Sequence, residues 1–249
     1  MAEVTIDPNR VDAVIFDMDG VVTDTARVHL AAWTRLFDEV LAGLGASGAR
    51  PFTAADYRRY VDGMSREDGV ARFLASRGIT LVWGSSDDGP EATTVVGLGR
   101  RKNDYFLAEV ARGGVQAFPS TVALVHTLQD RRIGTAVISA SRNASAVLEA
   151  AGVLDLFPVL VDGVVTAARG LPGKPDPAIF LEAARMLGSP PARTVVVEDA
   201  LAGVRAGHLG GFALVIGVDR DGARDQLRQA GAGVVVNDLA QVAVGQSPP

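Results

Sequence analysis

An α/β fold, with a Rossmann-like parallel sheet interrupted after its first strand by an α-helical insertion, is predicted by three observations. From residue 118 onward, short apolar β-branched runs alternate with helix-like segments, the order that builds a parallel sheet with helices on both faces. A further run of the strand type, 11–16, stands alone far upstream. Between the two, residues 26–113 carry helical periodicity and no clear strand. The expected division is therefore 1–25 plus 114–249 for the sheet domain and 26–113 for the helical insertion.

The first strand is read from Val11, Ala13, Val14, Ile15 and Phe16, an apolar run suited to a buried strand. After Thr25 the spacing changes: Val28, Leu30, Ala31, Trp33, Leu36, Phe37, Val40 and Leu41 recur with a helical period. Gly43, Gly45 and Gly48 fit G-x-G-x-x-G, but they follow a helix rather than a strand, so they read as a loop. Helices are expected over 54–60, 66–76 and 98–111, the second opened by an S-x-x-D cap at Ser65 and Asp68. The polar stretch 84–91 reads as a surface loop. Later strands are expected at 134–139, 159–162, 194–198, 213–218 and 233–236, and helices at 121–130, 143–151, 177–187, 200–209 and 223–230. The tail from Gln241, ending Ser-Pro-Pro, is expected to be disordered.

Composition removes several classes of function. With 249 residues, 48% of them hydrophobic, and a mean hydropathy of +0.21, the chain can bury a full core. Its apolar stretches are too short to span a bilayer, and its first ten residues hold no leader-like run. The absence of Cys removes disulfides, thiolate zinc sites and a cysteine nucleophile, and fits a cytoplasmic protein. A net charge of −5 argues against a nucleic-acid partner, which needs a basic face. Neither G-x-S-x-G nor G-x-x-x-x-G-K-[ST] is present, so a serine-hydrolase elbow and a P-loop have no support.

In open α/β sheets the ligand site lies beyond the carboxyl ends of the strands, and four such places carry chemistry here. Asp17 and Asp19 follow the first strand, and at about 4 Å and an effective dielectric near 20, two such charges repel by roughly 4 kcal/mol. A divalent cation with oxygen ligands, or a shared proton, relieves that repulsion. Glu198 and Asp199 repeat the arrangement after 194–198, so that up to four carboxylates would converge, a set that suits Mg²⁺. An acidic helix cap would explain Asp199 but not Glu198. Ser139, Ser141 and Asn143 lie where a strand gives way to a helix, a ready phosphate cradle, although Ser141 also reads as an ordinary N-cap. Lys174, in the Gly173-Lys174-Pro175 loop, could offset the acids and a phosphoryl group.

These four pieces, in this order, resemble the four motifs of the haloacid dehalogenase-like (HAD) phosphotransferases: DMDGVVTDT, Ser139, Lys174, and the Glu198-Asp199 pair. Within that superfamily the chain is similar to the β-phosphoglucomutase-like family in DMDGVVTDTARVH, DGMSREDGV, RRKND, SASRN, GKPDP and VEDALAGVRAG. The resemblance implies a HAD core with an inserted helical cap, and a phosphorylated sugar as substrate. It implies Asp17 as nucleophile and Asp19 as general acid/base, with Thr25 and His29 near the cap hinge. Gly63, Ser65 and Arg66 would form the cap's substrate loop, and Lys102 would reach the active site from the cap. Ser139, Ser141, Asn143 and Lys174 would hold phosphate. Mg²⁺ would be held by Asp17, the Asp19 carbonyl, Glu198 and Asp199. One departure is Asp62, where the family's mutases tend to carry Lys, leaving one cation fewer for a sugar phosphate.

The expected activity is Mg²⁺-dependent phosphoryl transfer through an aspartyl phosphate. A mutase lets a sugar hydroxyl attack that intermediate and a sugar-phosphate phosphatase lets water do so; the first is the primary reading and the second its alternative. A non-catalytic scaffold on the same fold is a third class, against which the intact Asp17, Asp19, Lys174 and Asp199 argue. A monomer is expected.

Overall fold

The computed structural model describes residues 4–43, 50–61 and 66–245. The chain divides into two compact units, Met1–Asp24 with Val115–Pro249, and Thr25–Gly114.

In the first unit, β1 (Val4–Ile6) precedes β2 (Ala13–Asp17). The second unit holds α1 (Ala26–Gly43), α2 (Ala54–Asp56), which continues as a π-helical turn over Tyr57–Val61, α3 (Arg66–Ser76) and α4 (Val95–Ala111). The chain then returns to the first unit with α5 (Pro119–Asp130), β3 (Gly134–Ile138), α6 (Ala144–Ala150), β4 (Val159–Val161), α7 (Gly163–Arg169) and α8 (Ala178–Leu187). It ends with β5 (Thr194–Glu198), α9 (Leu201–Leu209), β6 (Leu214–Val218), α10 (Arg224–Ala230), β7 (Val234–Val236) and β8 (Val242–Val244). Six strands form a parallel sheet in the order β4-β3-β2-β5-β6-β7, which is the expected Rossmann-like architecture. The order runs outward from β2 on both sides, so the chain reverses its direction of winding at β2. That is where such sheets open a crevice at their carboxyl ends.

Every residue of β2 and β5 is buried, which is why their sequences read as continuous apolar runs rather than alternating ones. Ile15, Ile138, Val196 and Val215 from four strands share one packed cluster with Phe180 of α8 and Val204 of α9. The helical unit has a core of its own. Trp33, Phe37, Phe52 and Phe73 meet there, with Phe37 and Phe73 centroids 4.1 Å apart. No helix among the described residues is long and apolar enough to cross a membrane.

Three sequence expectations are corrected. The tail from Gln241 is not disordered through Gly245: β8 pairs in parallel with β1, Val4 opposite Val242, and Arg131 binds the Gly245 carbonyl. The pairing joins the two ends of the chain, and a periodicity window sees neither partner's interest in the other. The α7 helix was not expected, because Gly-Val-Val-Thr is poor helix sequence. It is made by its ends: the Asp162 carboxylate accepts from the Val164 and Val165 amides, and Gly170 closes it at φ 63°. The first strand begins at Ala13 because the Val11 amide is held in a turn by the Asp7 carbonyl. Ser65 of the proposed cap at α3 lies outside the described residues.

Asp56 shows how the helical unit is tied down. It closes a capping box with Thr53 and accepts from Arg77 at 3.0 Å and Arg50 at 3.2 Å. Burial works to raise its pKa, but the Thr53 hydroxyl and the two guanidinium groups overcome that and hold it below the usual carboxylate range. A lowered folded-state pKa contributes stability above the unfolded value, about pH 4, which fades as the pH falls through the folded value. Asp56→Ala should therefore destabilise the protein by about 1–2 kcal/mol at pH 7. In thermal melts the gap from wild type should narrow as the pH is taken below 4; a gap independent of pH would show that the ion pairs contribute nothing.

Candidate active site

The register of the sheet brings the chemistry together. Phe16 pairs with Val197 and Asp17 with Ile138. One residue further along, Asp17 and Glu198 stand level at the ends of adjacent strands, and Ser139 begins the loop after β3. Asp17, Glu198 and Asp199 each offer a carboxylate oxygen, all within 4.8 Å of one another. Among the described residues, three carboxylates meet at this range, while the Asp19 carboxylate, whose charge also acts on Asp17 and Asp199, accepts from Ser139 Oγ at 3.4 Å.

Lys174 enters from the loop between α7 and α8. Its Nζ donates to Asp17 Oδ1 at 2.5 Å and also pairs with Glu198. Glu198 is fully buried, and its second oxygen accepts from the Ala200 amide at 2.7 Å. Burial, opposed by Lys174 and reinforced by Glu198 and Asp19, pushes Asp17 well above the usual carboxylate range. Burial followed by Glu198, Asp17 and Asp19 does the same to Asp199. Burial works against the Lys174 ammonium, but Asp17 and Glu198 outweigh it and raise its pKa above the ordinary lysine value. One ammonium therefore does not balance the three acids. A site of buried oxygen donors with surplus negative charge fits a hard divalent cation such as Mg²⁺.

The serine loop is stepped. Ser139 Oγ accepts from the Ser141 amide at 3.0 Å, and Ser141 Oγ accepts from the Asn143 amide at 3.1 Å. Asn143, not Ser141, occupies the N-cap of α6. The loop after β2 is fixed as tightly. Gly20 adopts φ 77°, the Val22 and Thr23 amides both donate to the Met18 carbonyl, and Asp199 lies where a side chain on Gly20 would stand.

In the helical unit, Thr25 is buried and its carbonyl receives the His29 amide at 2.9 Å. Lys102 is buried too, its Nζ 2.7 Å from His29 Nδ1 and 4.7 Å from the centroid of Phe106, on which His29 stacks. Burial, then the charges of Lys102 and Arg66, hold the His29 pKa well below its ordinary value. The neutral imidazole can thus accept from the ammonium. His29, Arg66 and Lys102 therefore lie together in this unit, while Gly63, Ser65 and Asp62 fall outside the described residues.

Sequence reasoning missed Gly203. A side chain there would overlap the Glu198 carboxylate, so the first turn of α9 must be bare for Glu198 to meet Lys174. A glycine inside a helix costs about 1 kcal/mol relative to Ala, and that local penalty was the available signal. Gly203→Ala should displace Glu198 and lower turnover at least about tenfold, since a 1.4 kcal/mol loss of transition-state stabilisation already does so. Steady-state rates and a thermal melt check this; near-wild-type turnover would show that Glu198 need not hold its place.

Comparison with known proteins agrees with this geometry. A family model described as haloacid dehalogenase-like hydrolase matches residues 11–211. A β-phosphoglucomutase of Mycobacterium tuberculosis is 44% identical over 242 residues, covering 94% of this chain and 92% of that one. The β-phosphoglucomutase of Bacillus subtilis is 32% identical over 206 residues, covering 82% and 83%. The crystal structure of a β-phosphoglucomutase from Clostridium difficile matches with a TM-score of 0.71 at 27% identity, covering 93% and 92%. With its parallel sheet, its helical insertion and its acid-lined strand ends, the chain belongs to the haloacid dehalogenase-like hydrolases, in the β-phosphoglucomutase-like family.

Proposed function

We propose that the protein is a Mg²⁺-dependent β-phosphoglucomutase that converts β-glucose 1-phosphate to glucose 6-phosphate through the 1,6-bisphosphate. The observation that carries this reading is the pairing of Asp17 with Lys174 at the mouth of the sheet, in a chain that matches enzymes of that name nearly end to end.

On this reading an Asp17 oxygen attacks phosphorus, the Asp17–phosphoryl bond forms, and the bond to the sugar oxygen breaks. Asp19 gives that oxygen its proton, and then takes one from the hydroxyl that attacks the phosphoryl group in the return step. Lys174 offsets charge on Asp17 and on the phosphoryl oxygens. Ser139 and the stepped loop through Ser141 and Asn143 would offer further donors to phosphate. Asp17, the Asp19 carbonyl, Glu198 and Asp199 would hold Mg²⁺, which supplies positive charge to the phosphoryl oxygens. Thr25, His29, Gly63, Ser65, Arg66 and Lys102 are assigned to recognition of the sugar phosphate. The clustering of His29, Arg66 and Lys102 about a buried ammonium supports that assignment.

Incubation with Mg²⁺, β-glucose 1-phosphate and a trace of glucose 1,6-bisphosphate should yield glucose 6-phosphate, and excess chelator should stop the reaction reversibly. Stoichiometric release of inorganic phosphate would instead identify a sugar-phosphate phosphatase, the outcome that Asp62 would favour by removing a cation. Full activity in chelator would contradict the metal site.

A further inference from the structure

The loop beyond β6 carries Arg220, whose guanidinium ties together segments distant in sequence. Its Nε donates to the Gly20 carbonyl at 2.8 Å. Its Cζ lies 3.8 Å from the centroid of the Phe118 ring. Its Nη1 is 3.8 Å from Asp238 Oδ2, an oxygen that also receives the Ser120 hydroxyl at 3.0 Å. The remaining nitrogen, Nη2, is buried without a hydrogen-bond partner. Native structures keep few such groups, so this pose is retained at a cost.

What the pose serves is the turn from Met18 to Thr23. The Met18 carbonyl receives the Val22 and Thr23 amides, and the Thr23 carbonyl receives the Gly20 amide. From outside the turn, the Thr121 hydroxyl donates to the Val21 carbonyl at 2.7 Å and the Phe118 amide to the Val22 carbonyl at 2.9 Å. Arg220 adds the charged donor of this set, and a charge-assisted bond is stronger than the neutral ones beside it. It grips Gly20, the residue next to Asp19, while the Asp199 carboxylate fills the space beside the same glycine's Cα. Gly20 has no side chain to anchor it, so its carbonyl is the handle by which the Gly20–Val21 peptide plane, and through Gly20 the backbone that carries Asp19, can be held.

We propose that Arg220 is a positioning residue for Asp19, fixing the turn so that the Asp19 carboxylate meets the oxygen whose proton it moves. This rests on the reading of Asp19 as the general acid/base. A donor whose leaving group departs without a proton tests it. Acetate leaves acetyl phosphate unaided, whereas a sugar alkoxide needs the acid.

Single-turnover phosphorylation of the enzyme would be measured from acetyl phosphate and from β-glucose 1-phosphate. The variants are Arg220→Met, which keeps an apolar stem against Phe118 but no donor, Arg220→Lys, Asp19→Asn, and the double variant Asp19→Asn/Arg220→Met. Arg220→Met should slow phosphorylation by the sugar phosphate about 10- to 100-fold, the scale of a misplaced catalytic group. Acetyl phosphate should change by less than about threefold. Arg220→Lys should recover only part of the loss, leaving a sugar-to-acetyl ratio between those of wild type and Arg220→Met, and Arg220→Met should add less than about twofold in the Asp19→Asn background. Equal losses with both donors, or additive losses in the double variant, would overturn the positioning role and leave Arg220 as a fold contact. Should Arg220→Met fail to fold, Arg220→Lys carries the test, with a sugar-to-acetyl ratio that falls if the role is right and stays at the wild-type value if it is wrong. If Asp19→Asn itself slows both donors alike, the acid–base reading fails and the Arg220 role falls with it. If Asp19→Asn is selective and Arg220→Met is not, the Arg220 role alone falls.

Discussion

The ion pairs of Lys174 with Asp17 and Glu198 are what allow β2 and β5 to end side by side. Both acids are buried at the carboxyl ends of adjacent parallel strands, where an uncompensated charge is expensive. Much of the neighbouring architecture serves this contact. Gly203 leaves room for Glu198, the Ala200 amide holds its second oxygen, and Gly20 leaves room for Asp199. Because three acids face one ammonium, the balance stays incomplete, and Asp17 and Asp199 keep raised pKa values. A divalent cation would relieve that shortfall, and on the proposed function it would present positive charge to a phosphoryl group.

The helical unit solves a similar problem with opposite signs. Lys102 is buried with its ammonium against a neutral imidazole and the rings of Phe106 and Trp33. Cation–π contacts and one good acceptor offset part of the desolvation of that charge. The unit's own aromatic core and the Asp56 capping box hold α1, α3 and α4 in place around this cluster. On the proposed function this buried charge would serve a ligand of complementary sign, such as a phosphorylated sugar.

The fold was largely legible because the sheet is parallel and doubly covered. β2, β3 and β5 appear as apolar runs of the right length, and α3 and β5 fall at their expected limits. The positions of Asp17, Glu198 and Asp199 were legible for a related reason, since they follow at once upon runs that must be buried, whereas Lys174 was read from its loop and from the acids it could offset. What the sequence hid was non-local or made by end effects. β1 and β8 find each other across the whole chain, and α7 is set by Asp162 and Gly170 rather than by periodicity. Gly203 and Arg220 were invisible in the same way, since their partners, Glu198 and the Gly20 carbonyl, are assigned only once the strands are in register. The contact of Asp19 with Ser139 likewise depends on the turn at Gly20 and not on spacing.

The account stands on Asp17 as the atom-bearing nucleophile, and one measurement addresses it directly. The Mg²⁺-loaded protein is mixed with β-glucose 1,6-bisphosphate, quenched in acid within the first turnover, digested, and its peptides sequenced by mass spectrometry. The account predicts one phosphoryl group on the peptide beginning near Val11, localised to Asp17 and absent after a chase with β-glucose 1-phosphate. A phosphoryl group on any other residue, or rapid product formation with no modified peptide at any quench time, would contradict it.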